Sequence, residues 1–87
     1  MNIVFHKHFR KRFAKLSEKV KDKFDVQLAL FYGDTFDVRL RNHELHGKYT
    51  KHRSIDVTGD IRAVYRGGER EGDVIFVDIG THSQLYS

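Results

Sequence analysis

The hydrophobic and polar positions of the chain change their spacing near its middle. Residues 2–5 predict a short strand, because Ile3, Val4 and Phe5 are apolar and suited to a sheet. Farther along, apolar side chains recur every three or four positions, at Phe9, Phe13, Leu16, Val20, Phe24, Leu28 and Phe31. This spacing predicts amphipathic helices. Because Ser17 is a good helix cap, we expect two antiparallel helices, at residues 6–16 and 18–32.

After Gly33 the pattern changes to the alternation and β-branched content that strands prefer. We expect three strands, at residues 47–57, 60–66 and 73–79, joined by a tight turn and a glycine-bearing loop. The predicted fold is therefore α+β, with a short N-terminal strand and two antiparallel helices before a twisted antiparallel sheet. The helices would cover one face of the sheet, and its other, concave face would carry the ligand-binding residues.

Length and composition narrow the class of protein. The 87 residues can bury one core, which predicts a single domain over residues 1–87. The absence of cysteine favours a reducing cytoplasm, and the longest fully apolar stretch, residues 28–32, is too short to cross a membrane. The net charge of +4 favours a polyanionic partner. Basic residues concentrate between Lys7 and Lys23, which predicts either an RNA-binding surface or a solvated helix face.

Polar residues suited to phosphate chemistry recur at the ends of the predicted strands. The pattern comprises His43-x-Leu45-x-Gly47-x-Tyr49, Arg53, Gly59-Asp60, Tyr65, Asp78, Gly80-Thr81-His82 and Tyr86. By this pattern the chain resembles the RelE/ParE superfamily of bacterial type II toxins, and within it the YafQ-like branch of ribosome-dependent mRNA endonucleases. The resemblance covers essentially the whole chain.

The resemblance implies a metal-independent endoribonuclease, without a cofactor, that cuts messenger RNA in the ribosomal decoding site. The ribose 2′-hydroxyl would attack the neighbouring phosphate and leave a 2′,3′-cyclic phosphate and a 5′-hydroxyl. Such a reaction needs a base, an acid and a cation beside the phosphate. The residues that the resemblance implies as catalytic are His43, Arg53, Asp56, Asp60, His82 and Tyr86.

Each of these side chains has a chemistry that suits one step. His82 and His43 suit proton transfer, because imidazole has an ordinary pKa of about 6.5. Arg53 suits charge stabilisation at the phosphate, since a guanidinium binds two oxygens and keeps its charge. Asp60 would orient a histidine, and Tyr86 would stack on a base. Each residue also has a structural alternative. His82 would pack the C-terminal turn, His43 would be an ordinary loop histidine, Arg53 would form a surface ion pair, Asp60 would cap a turn, and Tyr86 would cover the sheet.

Two positions depart from the family pattern. Asp56 stands where members of the branch carry a histidine, and Ser54 stands where they carry an aspartate. Since an ordinary aspartate is already ionised near pH 7, it is a poor acid. Three outcomes stay open: His43 and His82 suffice, Asp56 is the base of a slower enzyme, or the protein is a weak nuclease. The alternatives in function are a ParE-like toxin that inhibits DNA gyrase and a weak toxin retained for antitoxin binding and autoregulation.

The resemblance also implies partners: a cognate antitoxin and a ribosome with mRNA in its decoding site. We expect the toxin to be monomeric alone and to form a hetero-oligomer with the antitoxin. The pairs His6-x-His8 and His43-x-x-His46 lack a third ligand, so no metal site is expected. The basic residues expected to contact RNA are Lys7, Arg10, Lys11, Lys15, Lys48, Lys51, Arg62 and Arg66.

Overall fold

The computed structural model describes residues 1–86. The elements in chain order are β1 (Ile3–Phe5), α1 (Lys7–Ala14), α2 (Glu18–Gly33), β2 (His43–Glu44), β3 (Arg53–Asp56), β4 (Ile61–Gly67), β5 (Val74–Thr81) and α3 (His82–Tyr86). Single turns of 3-10 helix at Val38–Leu40 and Gly47–Tyr49 flank β2. The predicted α+β class is confirmed. Across these 86 residues no helix is both long and apolar enough to span a bilayer.

The five strands form one mixed sheet in the order β1-β5-β4-β3-β2. Strands β3 to β5 pair antiparallel, as expected, and β2, which was not predicted, extends this antiparallel part at the edge. In contrast, β1 pairs in parallel with β5. A parallel pair needs a long connection between its strands, and here the rest of the chain provides it. The last strand therefore lies inside the sheet, between the first strand and β4.

Both long helices begin at side-chain caps. The backbone N–H of Val20 donates to Ser17 Oγ at the start of α2 (3.3 Å), as the sequence predicts. His6 caps α1, because its Nδ1 accepts from the backbone N–H of His8 (3.1 Å). The helices bury their apolar sides against one face of the sheet, and the resulting core consists of Phe9, Phe24, Phe31, Leu40, Ile55, Val57, Ala63, Tyr65, Val74, Phe76 and Ile79.

The other face of the sheet, here called the second face, is partly covered as well. A smaller core of Leu45, Tyr49, Val64 and Leu85 lies on it, built by the segment before β3 and by α3. The first predicted strand starts at residue 53 rather than 47, because Gly47 and Lys51 have positive φ angles of 63° and 68° that a strand does not adopt. Helix α3 was not predicted.

A β-bulge in β5 sets the directions of two side chains on the second face. Asp78 pairs with Val64, and Phe76 pairs with Tyr65, so Val77 is an extra residue in the ladder. Such an insertion interrupts the strict alternation of a strand. Val77 packs against the smaller core and Asp78 hydrogen bonds to Tyr49 of that core, so two consecutive side chains reach the same face.

Candidate active site on the second face

A row of four paired residues crosses the second face from its inside to its edge: Asp78, Val64, Ser54 and His43. His43 Nδ1 donates to the carbonyl of Arg41 (3.0 Å), and Ser54 Oγ lies 3.3 Å from His43 Nε2. Because neighbouring strands lie about 4.8 Å apart, the backbones of His43 and Asp78 are separated by about 14 Å. His43 is therefore an edge residue of this face.

Arg53 lies on the opposite, helix-covered face. It pairs with Tyr65, and alternation along β3 gives it the same direction as the buried Ile55. Its Nε donates to Asn42 Oδ1 (2.8 Å), and its guanidinium lies over the ring of Phe36 (5.1 Å). The structure therefore does not bring Arg53 together with His43 and His82, and the expected convergence of these three side chains is wrong.

Asp56 lies on the second face between two guanidinium groups. Its Oδ1 is 3.3 Å from Arg62 Nε, and its Oδ2 is 3.6 Å from Arg41 Nε. On the helix side, Gln27 donates to the backbone carbonyl of Asp56 (2.8 Å), which fixes the end of β3 against α2. The carboxylate at this departure from the family pattern is thus held by two cations.

A concavity of about 370 Å³ lies at the end of β5, next to His82. It is lined by Gly59, Asp60, Arg62, Thr81, His82 and Ser83. A reciprocal cap fixes the first turn of α3: Thr81 N–H donates to Gln84 Oε1 (2.9 Å), and Gln84 N–H donates to Thr81 Oγ1 (3.2 Å). The ring of His82 contacts that of Tyr86, with centroids 4.7 Å apart. Three predicted site residues, Asp60, His82 and Tyr86, therefore meet here.

Arg62 is the cation of this concavity. Burial raises the pKa of Tyr86 above its ordinary value, and the charge of nearby Arg62 opposes that rise. Arg62 also contacts Asp56, so this guanidinium joins Asp56 to the group formed by Asp60, His82 and Tyr86. The sequence assigned Arg62 to general RNA binding, whereas the structure gives it the position that was expected for Arg53.

A second polar cluster on this face was not predicted as a site. Its centre is Asp78, whose side chain is only 7% exposed. Oδ1 accepts from Arg12 Nη1 (3.0 Å) and from the backbone N–H of Ile79 (2.8 Å), and it lies 3.3 Å from His8 Nε2. Oδ2 accepts from the hydroxyl of Tyr49 (2.9 Å).

These contacts shift two pKa values in opposite directions. Burial favours a higher pKa for Asp78, but the hydrogen bonds from Arg12, Tyr49 and Ile79, with the charge of Arg12, outweigh burial and lower it. Burial and the Asp78 carboxylate raise the pKa of Tyr49 to about 12. The carboxylate and the neutral phenol are therefore the stable pair at neutral pH.

The predicted RNA-binding residues divide between α1 and the second face. Lys7, Arg10 and Lys11 lie exposed on α1, and Lys15 lies exposed at its C-cap. Lys48 and Arg66 border the Asp78 cluster, and Lys51 is exposed in the turn before β3. Within residues 1–86, no group of three or more His, Asp or Glu side chains is arranged to hold a metal ion.

Comparison with known proteins adds a family to this geometry. A comparison with curated proteins gave no match. Among solved structures, YafQ from E. coli strain BL21(DE3) is 21% identical, with a TM-score of 0.79 over 99% of this chain and 98% of that chain. The YoeB/ParE toxin from Agrobacterium tumefaciens is 15% identical, with a TM-score of 0.77 over 94% of this chain and 99% of that chain.

The toxin chain of the E. coli DinJ-YafQ complex is 21% identical, with a TM-score of 0.76 over 99% of this chain and 98% of that chain. At such identities these structures share the fold. The family described as "Bacterial toxin of type II toxin-antitoxin system, YafQ" matches residues 1–87. The resemblance expected from the sequence is confirmed, and the chain belongs to the YafQ family of bacterial type II toxin–antitoxin toxins.

Proposed function

We propose that the protein is a ribosome-dependent mRNA endonuclease that cleaves by attack of the ribose 2′-hydroxyl, leaving a 2′,3′-cyclic phosphate and a 5′-hydroxyl. The observation that carries this proposal is the concavity that His82, Arg62 and Asp60 line, with Tyr86 in contact with His82. An imidazole and a guanidinium beside one phosphate supply proton transfer and charge stabilisation without a metal.

The roles follow from the positions of the groups. His82 transfers a proton at the scissile phosphate, and Arg62 offsets the negative charge that develops on the phosphorus oxygens. Tyr86 presents an aromatic ring on which a base of the message stacks. Asp56 and Asp60, which both lie near Arg62, are the two carboxylates available as the second acid–base group.

His43 takes a different part in this scheme. It lies at the far edge of the second face, so it contacts the message away from the phosphate that His82 serves. Its Nδ1 proton is held by the carbonyl of Arg41, and Ser54 supports the other nitrogen. Arg53, on the other face, keeps a structural role with Asn42 and Phe36.

The same proposal includes the partners. The solved DinJ-YafQ complexes, whose toxin chains share this fold, support a cognate antitoxin and a hetero-oligomer for this chain. The exposed cations of α1 would attract ribosomal RNA by counterion release. Activity on translated messages makes the cytoplasm the place of action, and the toxin alone would be a monomer.

Induction of the toxin without an antitoxin tests this function. We expect growth arrest together with cuts in translated messages, mapped by sequencing of RNA ends, and cyclic phosphates at the new 3′ ends. His82→Gln should lower cleavage by a hundredfold or more, about the range for loss of a general acid or base. His46→Gln is the matched control, because that imidazole is exposed and does not line the concavity at His82.

Three further results would decide between alternatives. Arg62→Gln should reduce cleavage about as much as His82→Gln, since an aligned charge donor contributes roughly 10²–10³-fold. Growth arrest with DNA damage and intact messages would reject the endonuclease in favour of gyrase inhibition. Neither arrest nor cutting, with activity restored by Asp56→His, would instead identify a weak toxin.

A further inference from the structure

The cluster around Asp78 forms the floor of a second concavity, of about 440 Å³, that the proposed reaction does not use. Its lining residues are His6, His8, Lys48, Tyr49, His52, Arg66, Val77 and Asp78. These come from the loop before α1, from α1, from the segment between β2 and β3, and from β4 and β5. Five parts of the chain thus converge on one polar depression of the second face.

The Asp78 carboxylate at the floor of the concavity forms its hydrogen bonds with groups of the protein itself. Both oxygens of Asp78 are engaged, by Arg12, His8, Tyr49 and the backbone of Ile79, so the carboxylate has its acceptors occupied. The guanidinium of Arg12 balances the charge of Asp78. The negative group therefore does not repel an anion in the concavity, and the net charge of the depression is set by its other side chains.

The other side chains are cationic or hydrogen-bonding. Lys48 and Arg66 contribute two full positive charges. His6 accepts from the His8 backbone at Nδ1, so its Nε2 carries the proton in the neutral ring and is a donor. His52 donates from Nδ1 to the carbonyl of Thr50 (3.0 Å), which leaves its Nε2 as an acceptor. The two cations suit a phosphate, and the neutral donor and acceptor suit the polar groups of a ribose or a base.

A continuous line of rings connects this concavity with the one at His82. Tyr86, which contacts His82, packs edge-on against Tyr49 with ring centroids 5.8 Å apart. Tyr49 packs in the same way against His52, at 5.5 Å. Tyr49 is itself buried, so the rings open to unstacked bases are those at the two ends of the line, His82 with Tyr86 and His52. One RNA strand can therefore cross from the first concavity to the second.

We propose that the Asp78 concavity binds a nucleotide of the same single-stranded RNA, next to the nucleotides held at His82. Lys48 and Arg66 contact its phosphate, and its base lies against the ring of His52. The inference rests on the proposed nuclease function, whose scissile site it extends along the strand. Arg12 is a positioning residue here, because it acts only through Asp78.

The test measures binding of the purified protein to uncleavable 2′-O-methyl RNA by fluorescence anisotropy, with a dinucleotide and a hexanucleotide as probes. Arg66→Gln should weaken hexanucleotide binding about tenfold, as expected for one charged hydrogen bond, and should leave dinucleotide binding unchanged. It should also reduce the dependence of log K on log salt by about 0.7, the value for one phosphate of a single strand. Arg66 is exposed and donates only locally, to Gly67, so this variant spares the core.

Controls separate a local contact from general charge. Lys23→Gln on α2 removes the same charge away from the concavity and should change binding little, whereas Arg66→Lys should restore most of the affinity. In NMR spectra, the hexanucleotide should shift the ring resonances of His52 and His6 and leave those of His46 in place. Equal losses with Arg66→Gln and Lys23→Gln, or unshifted His52 and His6 rings, would overturn the subsite.

Two outcomes separate this inference from the nuclease proposal. Hexanucleotide binding that depends on Arg66, in a protein that never cuts messages, would remove the nuclease function and leave an RNA-binding subsite. Message cleavage together with hexanucleotide binding that does not depend on Arg66 would remove the subsite and keep the nuclease function. A loss that is larger for duplex RNA than for the hexanucleotide would assign the concavity to ribosomal RNA and reject the single-stranded nucleotide.

Discussion

Removal of one hydroxyl group, in Tyr49→Phe, tests how strongly the Asp78 cluster holds the second face together. The hydroxyl donates to Asp78 Oδ2 (2.9 Å), and the carboxylate is 7% exposed, so water cannot replace the lost donor well. A hydrogen bond to a charged acceptor contributes about 1.5–3 kcal/mol. For a chain of 87 residues, each kcal/mol corresponds to a change of about 4–8 °C in Tm. We expect Tm to fall by about 6 °C or more, since this is the fall that the lower limits of the two ranges give together.

The assays are thermal unfolding, which gives Tm, and urea unfolding, which gives the free energy of unfolding, both followed by circular dichroism, with Tyr65→Phe as the matched control. Tyr65 is equally buried, but its hydroxyl accepts from the neutral amide of Asn42 (2.6 Å). Loss of that neutral contact should reduce the free energy of unfolding by about 0.5–1.5 kcal/mol. In an Asp78→Asn background the effect of Tyr49→Phe should fall to the same range, because the acceptor is then neutral.

The effect should also depend on pH with a defined sign. The folded-state pKa of Asp78 is lowered, so the stability that its carboxylate contributes is complete above the ordinary pKa of about 3.9 and is lost as the pH falls below it. The difference between wild type and Tyr49→Phe should therefore shrink as the pH falls through the folded-state pKa of Asp78, which lies below its ordinary value. A difference that grows as the pH falls, or a cost at pH 7 no larger than that of Tyr65→Phe, would refute the charged hydrogen bond.

Three other changes test separate parts of the fold. Ser17→Ala removes the cap of α2 and should lower the free energy of unfolding by about 1 kcal/mol, measured in urea, whereas Ser17→Asp should preserve it. Phe76→Ala empties the centre of the core, where this side chain is 0% exposed, and should cost about 3–5 kcal/mol in the same assay. In absorbance titrations, Tyr49 should ionise near pH 12 in wild type and at a lower pH in Asp78→Asn.

Much of the fold was predictable because local signals agree with the final packing. The apolar spacing from Phe9 onward predicts the two helices, and Ser17 marks the break between them. The missed helix α3 had a signal as well, since Thr81 and Gln84 are spaced as a reciprocal cap. The parallel pairing of β1 with β5 had no such signal in the sequence, because a local pattern does not indicate which strands become neighbours.

The site was predictable in part, and its two errors have different causes. Arg53 was assigned to the wrong face although the alternation with Ile55 was available from the sequence. Asp78, in contrast, reaches the second face through a bulge, and strict alternation gives no sign of an inserted residue. His6 and His52 are distant in sequence from Asp78, so only the folded chain brings them together.

The parallel pairing of the first strand with β5 has a consequence for synthesis of the protein. Residues 3–5 leave the ribosome well before their hydrogen-bonding partners at 74–76. Until β5 emerges, β1 has no neighbour, and α1 lacks the strand against which Phe9 packs. Such long-range closure slows folding and delays it until β5 has been translated. A nascent chain therefore acquires the Asp78 and His82 concavities only after β5 and α3 have left the ribosome.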